Sequence, residues 1–219
     1  MNKALLIFAK QPLPGKVKTR LSPPFSLQEA AEIYRCMLSD TLVKVAEFGD
    51  VEKFLFFEPS SGAEDFFRAN FPAMRCLPQL GAGLGERLEK AFETVFALGF
   101  ESVAVIGTDS PDLPLSYLRQ PFRLLEKGQA DVVFGPAADG GYYLLALARS
   151  CAGLFRDIPW STNLVLEKSL RAAVALQLRT VCLPVWHDMD TVEDLKEFLA
   201  AAGSGSAPRT LDFLRDKGV

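Results

Sequence analysis

Histidine is nearly absent from this chain: His187 stands alone among 219 residues. The four cysteines, Cys36, Cys76, Cys151 and Cys182, are scattered and never fall in a Cys-x-x-Cys spacing. An ordinary zinc site needs several such ligands close together, so zinc is excluded, and a disulfide scaffold is not expected in a chain of this size. Free thiols in a reducing compartment are the simplest account, which gives a cytoplasmic protein as the expectation. Positive charge is also in short supply, with 24 Lys and Arg against 27 Asp and Glu and a net charge of −3. A nucleic-acid binder presents a basic face, so that class is disfavoured. No apolar run approaches membrane-spanning length, and the first, residues 4–9, is too short for a secretory signal core.

What the chain does have is apolar content, 49% of its residues, enough for a substantial core. No shift in composition marks a boundary before about residue 200. One domain over 1–201 is therefore expected, followed over 202–219 by a small-residue linker and a short terminal helix at 210–217. Apolar and β-branched runs predict strands over 4–9, 51–57, 74–78, 102–106, 131–136, 142–148 and 179–185. Helical spacing predicts helices over 26–48, 63–70, 86–98, 114–127, 163–176 and 190–201, the first opened by a Ser26-Leu-Gln-Glu29 capping box. Alternating strands and helices imply right-handed crossovers, and the short connection at 136–142 implies one antiparallel pair. The expected fold is a three-layer α/β/α sandwich with a mostly parallel, mixed sheet.

Chemistry-bearing residues gather at the expected carboxyl ends of strands, where open α/β sheets bind ligands. The strand over 102–106 runs into Asp109 and Asp112, separated by a Ser-Pro turn. Two carboxylates on a tight turn suit Mg2+ or Mn2+, which fill their remaining positions with water and phosphate. Asp112 has a second reading as the cap of the following helix; Asp109 has no obvious capping role. The first loop, Lys10-Gln-Pro-Leu-Pro-Gly-Lys-Val-Lys-Thr-Arg20, carries Lys10, Lys16, Lys18 and Arg20 and no acid, and Gly15 lets backbone amides approach an anion. Its spacing is not that of a P-loop. Together these features point to a metal-assisted site for a nucleotide diphosphate.

Other stretches carry two readings each. Gln79 to Gly85 is a glycine-rich loop, with Glu86 and Arg87 starting the next helix: a plain turn, or a nucleotide contact at a helix start. Asp139-Gly-Gly-Tyr-Tyr143 is a hairpin turn, or a place where Gly140 and Gly141 admit a sugar beside Asp139 and Tyr142. Trp160, Ser161 and Thr162 form a helix cap with an aromatic plug, or a lid over an acceptor. At Asp188-Met-Asp190-Thr191, Asp190 with Glu193 reads as a helix start, while a second carboxylate pair reads as the completion of a metal shell. His187 reads as a packed or surface histidine.

Six stretches taken in order resemble the DUF2064 branch of the glycosyltransferase-A-like nucleotide-diphospho-sugar transferases. They are Phe8-Ala-Lys-Gln-Pro-Leu-Pro-Gly-Lys-Val-Lys-Thr-Arg-Leu21, Gln79-Leu-Gly-Ala-Gly-Leu-Gly-Glu-Arg87, Gly107-Thr-Asp-Ser-Pro-Asp-Leu-Pro114, Asp139-Gly-Gly-Tyr-Tyr143, Trp160-Ser-Thr162 and Asp188-Met-Asp-Thr191. The resemblance implies nucleotide binding by the first loop, metal binding at Asp109, and sugar or acceptor contacts near Asp139 to Tyr143. The expected activity is metal-dependent glycosyl transfer from a nucleotide-sugar to a small-molecule acceptor; in that chemistry Asp112 and Asp190 are candidate further metal ligands, and an inverting route would use Asp139 or Asp188 as base. Lys18-Thr-Arg-Leu21, Asp112-Leu-Pro114 and Asp190-Thr191 are also similar to the 2-phospholactate guanylyltransferase group, which transfers a nucleotidyl group instead. A nucleotide-binding protein without catalysis is the third alternative.

Overall fold

The computed structural model describes residues 2–201 and 206–219. Of the expected linker, 202–205 lie outside the described residues. Among the described residues there are seven strands, β1 (Lys3–Ala9), β2 (Glu52–Phe57), β3 (Arg75–Pro78), β4 (Ser102–Ile106), β5 (Val132–Pro136), β6 (Tyr142–Leu147) and β7 (Thr180–Cys182). They form one sheet in the order β3-β2-β1-β4-β6-β5-β7, in which β6 alone runs antiparallel to its neighbours. The helices are α1 (Leu27–Ala46), α2 (Ala63–Asn70), α3 (Leu84–Ala97), α4 (Leu115–Glu126), α5 (Val165–Ala175), α6 (Val192–Ala201) and α7 (Pro208–Asp216). None is long and apolar enough to cross a membrane among the described residues.

The strands are apolar throughout because both faces of the sheet are covered. Along β1, Leu5 and Ile7 pack toward α1, α2 and α4, while Ala4 and Leu6 pack toward α3 and α5. This is the expected α/β/α sandwich. A third apolar cluster lies outside it: Leu21 and Phe25 of the first loop meet Ile33 and Met37 of α1, Met189, Leu195 and Phe198, and Leu211 and Leu214 of α7. The terminal helix thus packs beneath the first loop and beside the Asp188–Asp190 segment.

The capping box forms as expected, with Ser26 Oγ accepting from Glu29 N and Glu29 Oε2 accepting from Ser26 N. Two sequence expectations are corrected. The last strand is three residues long where seven were expected, and Pro184, two residues beyond its end, has no N–H to donate to β5. Pairing resumes only at Trp186, which bridges Ala137. The cap of α6 is Thr191 with Asp194, whose carboxylate accepts from Asp190 N at 2.9 Å and Thr191 N at 2.7 Å. Asp190 is therefore released from capping.

At the far edge of the sheet Asp131 accepts from the backbone N, Nε and Nη2 of Arg179 at 2.8–2.9 Å. The Arg179 hydrogen bonds hold its carboxyl at about 2, below the ordinary 3.8. A depressed folded value means stabilisation present above 3.8 and lost as pH falls toward 2. Asp131→Asn should therefore be less stable than wild type at neutral pH, with urea midpoints converging across that acid window. A gap that persists unchanged at the acid end contradicts this assignment.

Candidate active site

Parallel pairing of β1 with β4 puts the two strands' carboxyl ends side by side, so the basic loop and the acid turn leave the sheet as neighbours. The Asp188–Asp190 segment is stapled to the same point, since Met189 N donates to Asp109 O at 2.9 Å. Ser110 Oγ lies 2.9 Å from His187 O and 2.7 Å from Asp188 Oδ1, tying the turn to that segment a second time. From the other side Lys44 of α1 donates to the carbonyls of Pro111 and Leu113. Tyr34, also on α1, has its hydroxyl 2.9 Å from both Lys10 N and Thr108 Oγ1, linking the basic loop to the acid turn. Burial pushes that phenol up to about 12, so it stays protonated.

The centre of the site is Lys18. Its Nζ lies 2.5 Å from Asp109 Oδ1 and 2.7 Å from Asp190 Oδ1, and its side chain is 3% exposed. The backbone here is left-handed, φ 46°, a conformation costly for a residue with a side chain. Val17 and Leu21, both buried, flank it and hold the loop down. Burial works against the ammonium, yet Asp109 and Asp190 outweigh it and raise the Lys18 pKa. Burial likewise opposes ionisation of Asp190, but Lys18 and then Arg20 hold it below the usual carboxylate range. Asp188 differs: mostly through burial, and with Asp109 nearby, its carboxyl is pushed up to about 6 despite the Ser110 bond.

A cleft of about 570 Å³ opens over these residues and reaches the ends of β2 and β3. It is lined by Lys10, Lys18, Arg20, Gln79, Arg87, Tyr142, Ser161, Asp109 and Asp190 among others, so nine of the sequence-derived site residues share one cavity. At its far end Gln79 Nε2 donates to Phe56 O, and Arg87 Nη1 binds Glu58 at 2.7 Å. Five cations (Lys10, Lys16, Lys18, Arg20, Arg87) face three acids (Glu58, Asp109, Asp190) in this cleft, an excess of positive charge in an acidic protein. Asp188 lines a smaller adjoining pocket of about 80 Å³ together with Asp109 and Ser110.

Other expected site residues are not brought to the cleft. Asp112 neither caps α4 nor faces Lys18; its carboxylate accepts from Trp186 Nε1 at 3.2 Å and lies 3.3 Å from His187 Nε2. That corrects its expected place beside Asp109, and it gives His187 a packed role stacked on Trp186. Gly15 is exposed and used for a turn, φ 73°, and does not line the cleft. Trp160 is an aromatic plug against Tyr142 and the start of α3, where a Cβ on Gly85 would stand 2.2 Å from its Nε1. Thr162 makes local turn bonds to Pro159 O and Leu164 N. Asp139 Oδ1 accepts from Gly141 N in a tight turn, exposed to solvent.

Gly140 sits where that turn presses on the 160–163 segment, with φ 89° and an added Cβ placed 2.2 Å from Asn163 O. Backbone cannot move aside as a side chain can. Gly140→Ala is expected to destabilise the fold by about 3 kcal/mol, combining left-handed strain with overpacking. Thermal and urea denaturation measure it, and a near-neutral effect would contradict the contact.

Sequence reading passed over Tyr34, Lys44, Glu58 and Ser110. Glu58 directly follows β2, so the strand-end rule applied to every strand would have found it. Tyr34 and Lys44 lie in a helical apolar stripe and carry no local signal.

A seven-stranded mixed sheet with a cation-lined cleft at its carboxyl edge defines the nucleotide-diphospho-sugar transferase class of fold. The chain belongs to the DUF2064 family, described as an uncharacterized protein conserved in bacteria, with residues 41–162 matched. A crystal structure of a candidate nucleotide-diphospho-sugar transferase from Desulfovibrio desulfuricans G20 is similar over 100% of this chain and 96% of that one, with 31% identity and a TM-score of 0.93. A cytidylyltransferase from Leptospira borgpetersenii shares the fold at 15% identity, covering 100% and 95% of the two chains, with a TM-score of 0.56. So does Rv0371c from Mycobacterium tuberculosis H37Rv in complex with manganese, at 15% identity, covering 92% and 100%, with a TM-score of 0.54. None of the curated proteins matches.

Whether these residues suit a divalent cation can be tested on the donor set. Among the described residues no group of three or more His, Cys, Asp or Glu is arranged to hold a metal. Mg2+ and Mn2+ ask for less: one or two carboxylates with phosphate and water completing the shell. Asp109 and Asp190 direct an oxygen each at one point and are nearly half exposed, so they fit.

Proposed function

We propose that this protein is a transferase acting on a nucleotide-diphospho-sugar, with the diphosphate over the Lys18 cluster and the nucleoside toward Gln79, Arg87 and Glu58. One observation carries this reading: a buried ammonium bracketed by two carboxylates at one end of a cation-rich cleft. Neighbouring strands are about 4.8 Å apart, so the ends of β2 and β3 lie on the order of 10–15 Å from the acid turn. That span suits an extended nucleoside diphosphate. The 31% identical relative, itself described in those terms, agrees with it.

In this mechanism the bond between the sugar and the diphosphate oxygen breaks, and a hydroxyl of a small-molecule acceptor forms the new bond. Lys18 and Arg20 stabilise negative charge developing on the departing diphosphate. Lys10 and Lys16 extend the same positive field toward the cleft mouth. Asp188, a carboxylate whose basicity burial raises, takes the acceptor proton, with Asp139 as the second carboxylate in its neighbourhood. Mg2+ or Mn2+ held by Asp109 and Asp190 supplies Lewis-acid neutralisation of the diphosphate when bound.

Purified protein with Mn2+ should consume at least one donor in a broad nucleotide-sugar panel and release a nucleoside diphosphate. Turnover of nucleoside triphosphates with pyrophosphate release, and none of nucleotide-sugars, would instead establish nucleotidyl transfer. Thermal shifts give an independent check, since diphosphates and sugar nucleotides should stabilise the fold more than triphosphates.

A further inference from the structure

The position that a divalent cation would take between Asp109 and Asp190 already holds a positive charge. Lys18 Nζ is 2.5 and 2.7 Å from the two Oδ1 atoms. A Mg2+ or Mn2+ ion would need these same two oxygens, which the Lys18 ammonium now engages. Two cations drawing on one pair of oxygens repel each other, so ammonium and metal compete for them. The ammonium does not leave easily: its side chain is 3% exposed and its backbone is held left-handed between buried Val17 and Leu21. The two carboxylates, by contrast, are 45% and 43% exposed and reachable from the cleft.

We propose that Lys18 is a tethered cation that competes with divalent metal for the Asp109–Asp190 pair. In the free protein it closes the metal site and keeps the two carboxylates from repelling each other. A polyphosphate entering the cleft offers the ammonium a new partner. As Lys18 turns to the phosphates, the carboxylate oxygens are released to the metal, so nucleotide and metal enter cooperatively. Their coupling is a property of this one side chain and, by linkage, is reciprocal. The inference rests on the metal placement proposed above and extends it to the order in which the ligands bind.

The test uses the full chain and Mn2+ alone, with bound and free ion distinguished by the electron paramagnetic resonance of free Mn2+. Lys18→Gln removes the competing charge and should bind Mn2+ about tenfold or more tightly than wild type without nucleotide. The same variant should be less heat-stable in chelator and regain stability with Mn2+. Lys18→Arg, which keeps the charge, should stay near wild type in Mn2+ affinity. Equal or weaker Mn2+ binding by Lys18→Gln overturns the proposal. If that variant folds only with Mn2+, the proposal is supported. If it folds under neither condition, amine acetylation of wild type read by mass spectrometry decides. Lys18 should become more reactive as millimolar Mn2+ displaces it, and no rise overturns the competition. Thermal shifts with nucleoside diphosphates run beside this series separate the two readings. Absence of any nucleotide effect sinks the proposed function, whereas nucleotide binding with no gain in Lys18→Gln sinks only this inference.

Discussion

Replacing Asp109 by Asn is expected to cut turnover of any accepted donor by a factor on the order of 10²–10³ while leaving the fold in place. Asp109 is the one acid that touches Lys18 from the central strand, and its neighbour Asp188 is the expected proton acceptor. An Asn there keeps the shape and loses the charge. Lys18 would retain Asp190 as a partner, so the ammonium is not left alone in the interior and the cost to stability stays small. Asp112→Asn offers the contrast. Its carboxylate is spent on Trp186 and His187, and turnover should remain within a few-fold of wild type. Steady-state rates of both variants, with melting curves as controls, decide the matter. Equal losses in the two would mean that the acid turn acts as a unit, contrary to the geometry.

The second large effect is on stability and lies far from the cleft. Asp40 on α1 is buried, 1% exposed, and accepts from Arg209 N at 3.2 Å and from Thr210 N and Oγ1 at 2.8 Å each. Helix α7 has Ala207 before its first turn, with no capping side chain of its own. Asp40 therefore supplies the cap from another helix, and Pro208 at the first position needs no donor. Asp40→Ala leaves the buried Thr210 N and Oγ1 and the partly buried Arg209 N without this acceptor. We expect a loss of about 2–4 kcal/mol, read from the urea midpoint. Asp40→Asn should fall between, since it keeps one acceptor. Because Leu211 and Leu214 of α7 pack in the cluster that holds Leu21, Phe25 and Met189, the loosened helix should also lower activity through the first loop. An Asp40→Ala protein as stable as wild type would show that α7 is held by its apolar contacts alone.

Most of the fold was legible from residue order because its elements obey local rules. Unbroken apolar runs such as 4–9 and 102–106 can be satisfied only by strands covered on both faces, and Ser26 with Glu29 marks a helix start wherever it lies. The edge strand β7 was overestimated because apolar content at 179–185 says nothing about which N–H groups find partners. Pro184, which has no N–H to offer, shows the difference. Spacing pairs Asp190 with Glu193 at a helix start, whereas the structure makes the same motif one residue further on, with Thr191 and Asp194.

The site was legible as a set of residue types at strand ends and illegible as a geometry. Residue order was enough to say that four bases without an acid follow β1, that carboxylates follow β4, and that both belong to a sandwich whose ligands collect at one edge. It could not say that Asp109 and Asp112, three residues apart, part company, because a turn's side chains point where their partners are, and Trp186 and His187 arrive from 74 residues away or more. Nor could it foresee a lysine buried between two acids. That placement depends on three loops being brought together by strand order, and burying an ammonium becomes tolerable only once both carboxylates are already held within reach of it.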